Sequence, residues 1–178
     1  PATKMIDQLF QNTPGGDFIN VVGQTGTGNN FLADNQPAAE WLANLSATWT
    51  RGPLSITGQV RYVADGIMDF NGITPDDPRY AVIVGPPPTA VPVGRRTIDT
   101  NFVESYEIFA LSGSYRWEGF GPMESVQIFG VVDNLFDTDP PIAPGGGAFG
   151  PANANGGTNP IFFDTQGRTF RLGVRTTF

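Results

Sequence analysis

Residues 169–178 read TFRLGVRTTF. Every second position, Phe170, Leu172, Val174, Thr176 and Phe178, is uncharged, and the residues between them are Arg171, Gly173, Arg175 and Thr177. Side chains alternate across a strand with period 2, so this stretch is predicted to be a strand with one apolar and one polar face, finishing on an aromatic ring. Strands of transmembrane barrels have this form: about 10 residues, apolar towards lipid and polar towards the interior, with aromatic girdles at the two interfaces. A soluble β-sandwich also alternates, so the aromatic placement and the loop pattern have to separate the two.

Four upstream stretches repeat the alternation. In Ala39–Thr50, Trp41, Ala43, Leu45, Ala47 and Trp49 share a face; in Leu54–Asp65, Leu54, Ile56, Gly58, Val60, Tyr62 and Ala64 do. From about Phe102 to Trp117 the clean set is Phe109, Leu111, Gly113, Tyr115 and Trp117, and in Ser125–Leu135 it is Val126, Ile128, Gly130 and Val132. These sets carry no charge. The opposite faces hold Arg61, Asp65, Arg116, Asp133, Arg171 and Arg175, which are predicted to line a wet interior. An Arg or Lys at the middle of a lipid-facing surface costs roughly 2–4 kcal/mol, which would enforce such sorting. Glu104, Tyr106 and Glu107 break the phase and predict a bulge or a part of the strand that projects beyond the membrane.

Short connections at 51–53 and 118–124 alternate with long ones at 66–101 and 137–163. Outer-membrane barrels place short turns on the periplasmic side and long loops outside. Trp49, Tyr115 and Trp117, with Phe178, all fall at the short-turn end, as an interfacial girdle requires. The fold class predicted is therefore all-β: an antiparallel meander of about five strands, the C-terminal portion of a transmembrane barrel. Residues 1–38 are predicted to be an extracellular loop and lead-in, with Ala2–Phe10 as a short helical turn, and residues 39–178 to be barrel strands. Five strands have the wrong parity for a closed bacterial barrel and would leave two open edges in lipid, so further strands N-terminal to Pro1 are expected.

Composition narrows the function classes. The 23 Gly, 16 Pro and only 15% charged residues favour strands with long irregular loops over helices. A net charge of −7 disfavours nucleic acid as a partner. The absence of Cys and His removes thiolate metal sites and the commonest general base. No convincing nucleophile–base pair is present, which disfavours a barrel enzyme. No cofactor is called for.

The order of features from Ser125 onward resembles the C-terminus of TonB-dependent outer-membrane receptors. The residues that carry the resemblance are VVDNLFDTDPP (Val131–Pro141) and FDTQGRTFRLGVRTTF (Phe163–Phe178), with WTRGPLSITGQVRYV (Trp49–Val63) similar to a periplasmic Gly-Pro hairpin of that family. It implies a 22-stranded barrel in a Gram-negative outer membrane, plugged by an N-terminal domain that has no counterpart here. It further implies import of a scarce ligand (a metal chelate, vitamin or oligosaccharide) with energy relayed through TonB. The terminal Phe178, with Phe170, Leu172, Val174 and Thr176, matches the family's signal to the barrel-assembly machinery. The alternative is a secreted soluble β-sandwich binding module.

Other groups have plainer readings. Asp133, Asp137 and Asp139 offer calcium-type oxygens, but no Gly stands at the needed turn and a Pro pair follows, so Asn134–Asp137 is read as a strand end. Gly23, Gly26 and Gly28 lack the Lys of a phosphate loop. Asp76-Asp77 point opposite ways in an extended chain and are read as solvated. Arg61, Arg116, Arg171 and Arg175 either attract anions or balance carboxylates. Phe149, Phe162 and Phe163 either touch an incoming ligand or pack the last loop down.

Overall fold

The computed structural model describes residues 1–11, 18–26, 38–70, 72–78, 80, 96–97, 99–143 and 157–178. The elements bounded in it are all strands: β1 (Ala2–Lys4), β2 (Leu9–Gln11), β3 (Phe18–Asn20), β4 (Trp41–Arg51), β5 (Leu54–Val63), β6 (Gly66–Ile67), β7 (Gly72–Ile73), β8 (Arg96–Thr97), β9 (Phe102–Val103), β10 (Tyr106–Phe120), β11 (Met123–Asp133) and β12 (Thr169–Thr177). Six of them form the main sheet in the order β1-β4-β5-β10-β11-β12, and every pairing in it is antiparallel. Three two-stranded ladders, β2-β3, β6-β9 and β7-β8, lie among the connections. No helix of the described residues is long and apolar enough to cross a membrane, which has no bearing on crossing by strands.

The five long strands coincide with the five alternating stretches. The sixth, β1, replaces the expected helical turn over Ala2–Phe10. Asn44 N–H donates to the Pro1 carbonyl and Met5 N–H to that of Glu40, which fixes the chain as an extra ladder on the β4 edge. Of the two readings of the phase break near Tyr106, a bulge or a projecting part of the strand, the bulge is absent. Tyr106 pairs with Val63 and Glu107 with Tyr62, in one unbroken register that runs to Tyr115 opposite Leu54. The phase looked broken because Tyr106 belongs to the polar face, while Glu107 occupies the last rung of the apolar one.

Both short connections are two-residue hairpins built on the same dipeptide. Gly52-Pro53 joins β4 to β5 and Gly121-Pro122 joins β10 to β11, with φ of 56° at Gly52 and 65° at Gly121. Glycine at the first central position supplies the positive φ whose twist matches that of the flanking strands. Gly52→Val should therefore destabilise the fold by about 1–2 kcal/mol. Gly58→Ala, where an added Cβ meets nothing, should be close to neutral; urea unfolding midpoints compare the two.

The long connections all leave the opposite end of the sheet, and the buried core lies there. Ala39, Val63, Val103, Tyr106, Ala143, Phe162 and Phe163 form it, with Leu42, Met68 and Ile108 packed alongside. Leu42, Val63, Tyr106 and Ile108 belong to the polar face, which becomes apolar over its last rungs so that the connections can fold onto it. Phe163 is buried and meets the Tyr106 ring edge-on at 5.6 Å. Phe162 and Phe163 are thus packing residues. Gly28 and Phe149 lie outside the described residues.

Candidate functional site

In an antiparallel ladder, directly paired residues share a face, so the register decides whether five separate alternations make one surface. They do. Leu45 pairs with Val60, Val60 with Phe109, Trp49 with Ile56 and Ile56 with Gly113. Gly113 pairs with Gly130 and Gly130 with Leu172. Every apolar set falls on one side of the sheet.

That side is uncovered by any described residue. Leu172 is 82% exposed, Phe170 71%, Leu45 68% and Val174 62%. Full burial of one such side chain is worth roughly 1.5–3 kcal/mol, so a row of them facing water would be a heavy liability for a monomer. Gly113 and Gly130, directly opposite each other, leave a shallow groove of about 620 Å³ between Ile56, Leu111, Ile128 and Leu172. Charges reach this face only at its margins. Lys4 and Glu107 stand at the long-connection end, and Arg51 and Glu124 at the hairpin end.

Aromatic rings bracket the apolar field on both sides. Trp49, Tyr115, Trp117 and Phe178 lie at the hairpin end, with Tyr115 and Trp117 in contact at 4.4 Å between centroids. A second row, not picked out from the sequence, lies at the other end: Trp41, Phe109, Phe136 and Phe170. Trp41 carries the Lys4 ammonium 5.1 Å above its ring, and Lys4 is in turn paired with Glu40 at 3.4 Å. Phe170 carries the Arg168 guanidinium at 5.9 Å. Phe136 packs edge-on against Phe109 at 5.2 Å. The two rows are Trp41 and Trp49 on β4, Phe109 and Trp117 on β10, and Phe170 on β12 with Phe178 just past its end, eight residues apart each time. At about 3.4 Å per residue and a tilt near 40° that is roughly 21 Å of height, close to the ~25 Å apolar band of outer-membrane barrels.

Of the six charges expected to line an interior, five, Arg61, Arg116, Asp133, Arg171 and Arg175, share the opposite face by register. Arg171 is hydrogen-bonded and ion-paired to Asp133. Arg116 lies 3.9 Å from Glu118. Arg61 donates to the Phe162 carbonyl at 2.9 Å. Asp65, just past β5, is exposed. Arg175 lies on a shelf with Ser55, Thr57, Ser114 and Gln127. Arg171 and Arg116 thus have carboxylate neighbours, as the charge-balance reading expects, and Arg61 is a structural tie. Around them the face is hydroxyl-rich, and Thr48 and Thr57 are hydrogen-bonded across the first hairpin at 2.9 Å.

The Asn134–Asp137 run is a folded clasp. Asn134 is buried, at φ 50°, and its amide both accepts from Thr138 N–H at 2.8 Å and donates to the Thr138 carbonyl at 2.9 Å. Asp137, at φ 57°, accepts from Arg168 N–H at 2.8 Å and pairs with the Arg168 guanidinium at 3.6 Å. Arg168 also donates to the Leu135 carbonyl. Asp133 and Asp137 are thus each engaged by an arginine, and no metal-holding group of three or more His, Cys, Asp or Glu occurs among the described residues. Compared with known proteins, the chain matches no family model, no curated protein and no solved structure.

Proposed function

We propose that this chain is part of the wall of a Gram-negative outer-membrane β-barrel, with its apolar face against lipid and its polar face towards a wet interior. The observation that carries the reading is the uncharged field of one sheet face, bracketed by aromatic rows eight residues apart. Strands of 9–15 residues are long enough to cross at a tilt. Long connections at one end and Gly-Pro hairpins at the other agree with an outside and a periplasmic side. The sandwich alternative would need a second layer on the apolar face, and no described residue supplies one.

The finer proposal is a receptor of the TonB-dependent type, importing a scarce small molecule such as a metal chelate, vitamin or oligosaccharide, with the barrel-assembly machinery recognising the β12 pattern that ends at Phe178. It rests on the Val131–Pro141 and Phe163–Phe178 patterns.

All three tryptophans of the chain, Trp41, Trp49 and Trp117, lie on the apolar face at its margins, so the test needs no mutation. In vesicles, lipids brominated near the headgroup should quench their emission strongly, lipids brominated near the bilayer centre should quench it less, and aqueous iodide should quench it least. Strong iodide quenching with no effect of either bromolipid would overturn the membrane reading.

A further inference from the structure

We infer that residues 21–26, 66–69, 101–103 and 157–163 form one cooperative cap, seated on the last rungs of the sheet and opening as a unit while the middle of the strands stays closed, and that Asn159 ties the last of these segments to the first. The inference does not depend on the membrane reading. Segment 21–26 is laced to its neighbours through the backbone. Gly23 N–H donates to the Ala38 carbonyl, Ile67 N–H to that of Gly23, and Thr25 and Gly26 N–H both to that of Ile67. Asn101 then fastens the next crossing. Its Oδ1 accepts from Met68 and Asp69 N–H, and its Nδ2 donates to the Asp69 carbonyl at 2.8 Å.

The last connection joins this body through Asn159, which is fully buried. Its Nδ2 donates to the Thr25 carbonyl at 2.8 Å, across 134 residues of sequence, while its own carbonyl accepts from Phe162 and Phe163 N–H. Arg61 on β5 holds the same segment from below through the Phe162 carbonyl. Buried amides of this kind are costly to leave unpaired, so the segment cannot swing out without opening the lacing beneath it.

Two glycines show how closely the strands of the cap approach. A Cβ on Gly66 would stand 2.3 Å from the Gly23 carbonyl oxygen, and one on Gly26 would stand 2.5 Å from that of Met68. Both obstacles are backbone, which has no rotamer to yield. A perturbation of any one of these segments therefore acts on all of them.

Amide hydrogen exchange on the full chain tests this with Asn159→Leu and, separately, Gly66→Ala, the two perturbations lying at different seams. Each should speed exchange in 21–26, 66–69, 101–103 and 157–163 together, by a common factor of roughly ten or more, while amides in the middle of β5, β10 and β11 keep their protection. Faster exchange confined to 157–163 in the first variant, or to 23 and 66–69 in the second, would mean independent loops and overturn the inference. Loss of protection in the strands as well would also overturn it, since cap and sheet would then be one unit.

Discussion

Leu45→Arg should prevent stable folding into a bilayer, while Ser46→Arg, one residue along the same strand, should leave folding nearly unchanged. Leu45 lies midway between Trp41 and Trp49, opposite Val60, on the apolar face and 68% exposed. If hydrocarbon covers that face, a guanidinium at this depth costs roughly 2–4 kcal/mol, falling to about 0–1 near the interfaces. That is a large share of the stability of any domain. Ser46 pairs with Gln59 on the hydroxyl-rich face, where an added cation stays hydrated. Depth provides an internal control. Thr176→Arg, two residues from Phe178, should cost much less than Leu172→Arg at the level of Gly130. Urea unfolding in lipid vesicles, read by tryptophan emission, ranks the four. Equal costs for Leu45→Arg and Ser46→Arg, or no gradient from 172 to 176, would remove the physical basis of the membrane proposal.

The five long strands were legible because alternation is local: each strand states its own two faces. That all five agree on one surface is a property of register, yet on three of them it follows from the same pattern, since slipping β5, β10 or β12 by one residue would set Arg61, Arg116 or Arg171 among the leucines and valines. What could not be read was fixed by partners distant in sequence. Three residues of β1 carry no period, and their pairing is decided by the β4 edge. Phe136 joins the second aromatic row only because the Asn134 turn swings it over Phe109, and the sequence places it outside any strand. Asn159 sits in a Gly-, Asn- and Pro-rich connection, where nothing local marks a residue that will be fully buried. Phe162 and Phe163 have two readings in the sequence, and the packing of Phe163 on Tyr106 and of Phe162 on Phe163 decides between them.

Asn134→Ala should be the most damaging substitution at the end of β11, at about 2–5 kcal/mol. Two effects add. The side chain's two hydrogen bonds to Thr138 are worth about 0.5–1.5 kcal/mol each, and alanine at φ 50° pays a further ~1–2 kcal/mol that asparagine tolerates better. Asn134→Gly separates them: it loses the hydrogen bonds but adopts the positive φ freely, so it should cost about half as much. Asp137→Asn keeps an oxygen for Arg168 N–H and gives up only a half-exposed ion pair, worth roughly 0–1 kcal/mol. The clasp joins the end of β11 to the residue before β12, so the damage should also show as faster amide exchange at Thr169–Arg171, in the order Ala, then Gly, then the Asp137 variant. If alanine and glycine are equally harmful, backbone strain has no part in it. If all three leave β12 protected, the Asn134–Asp137 turn does not hold the last strand in place, and the ladder to β11 alone sets its register.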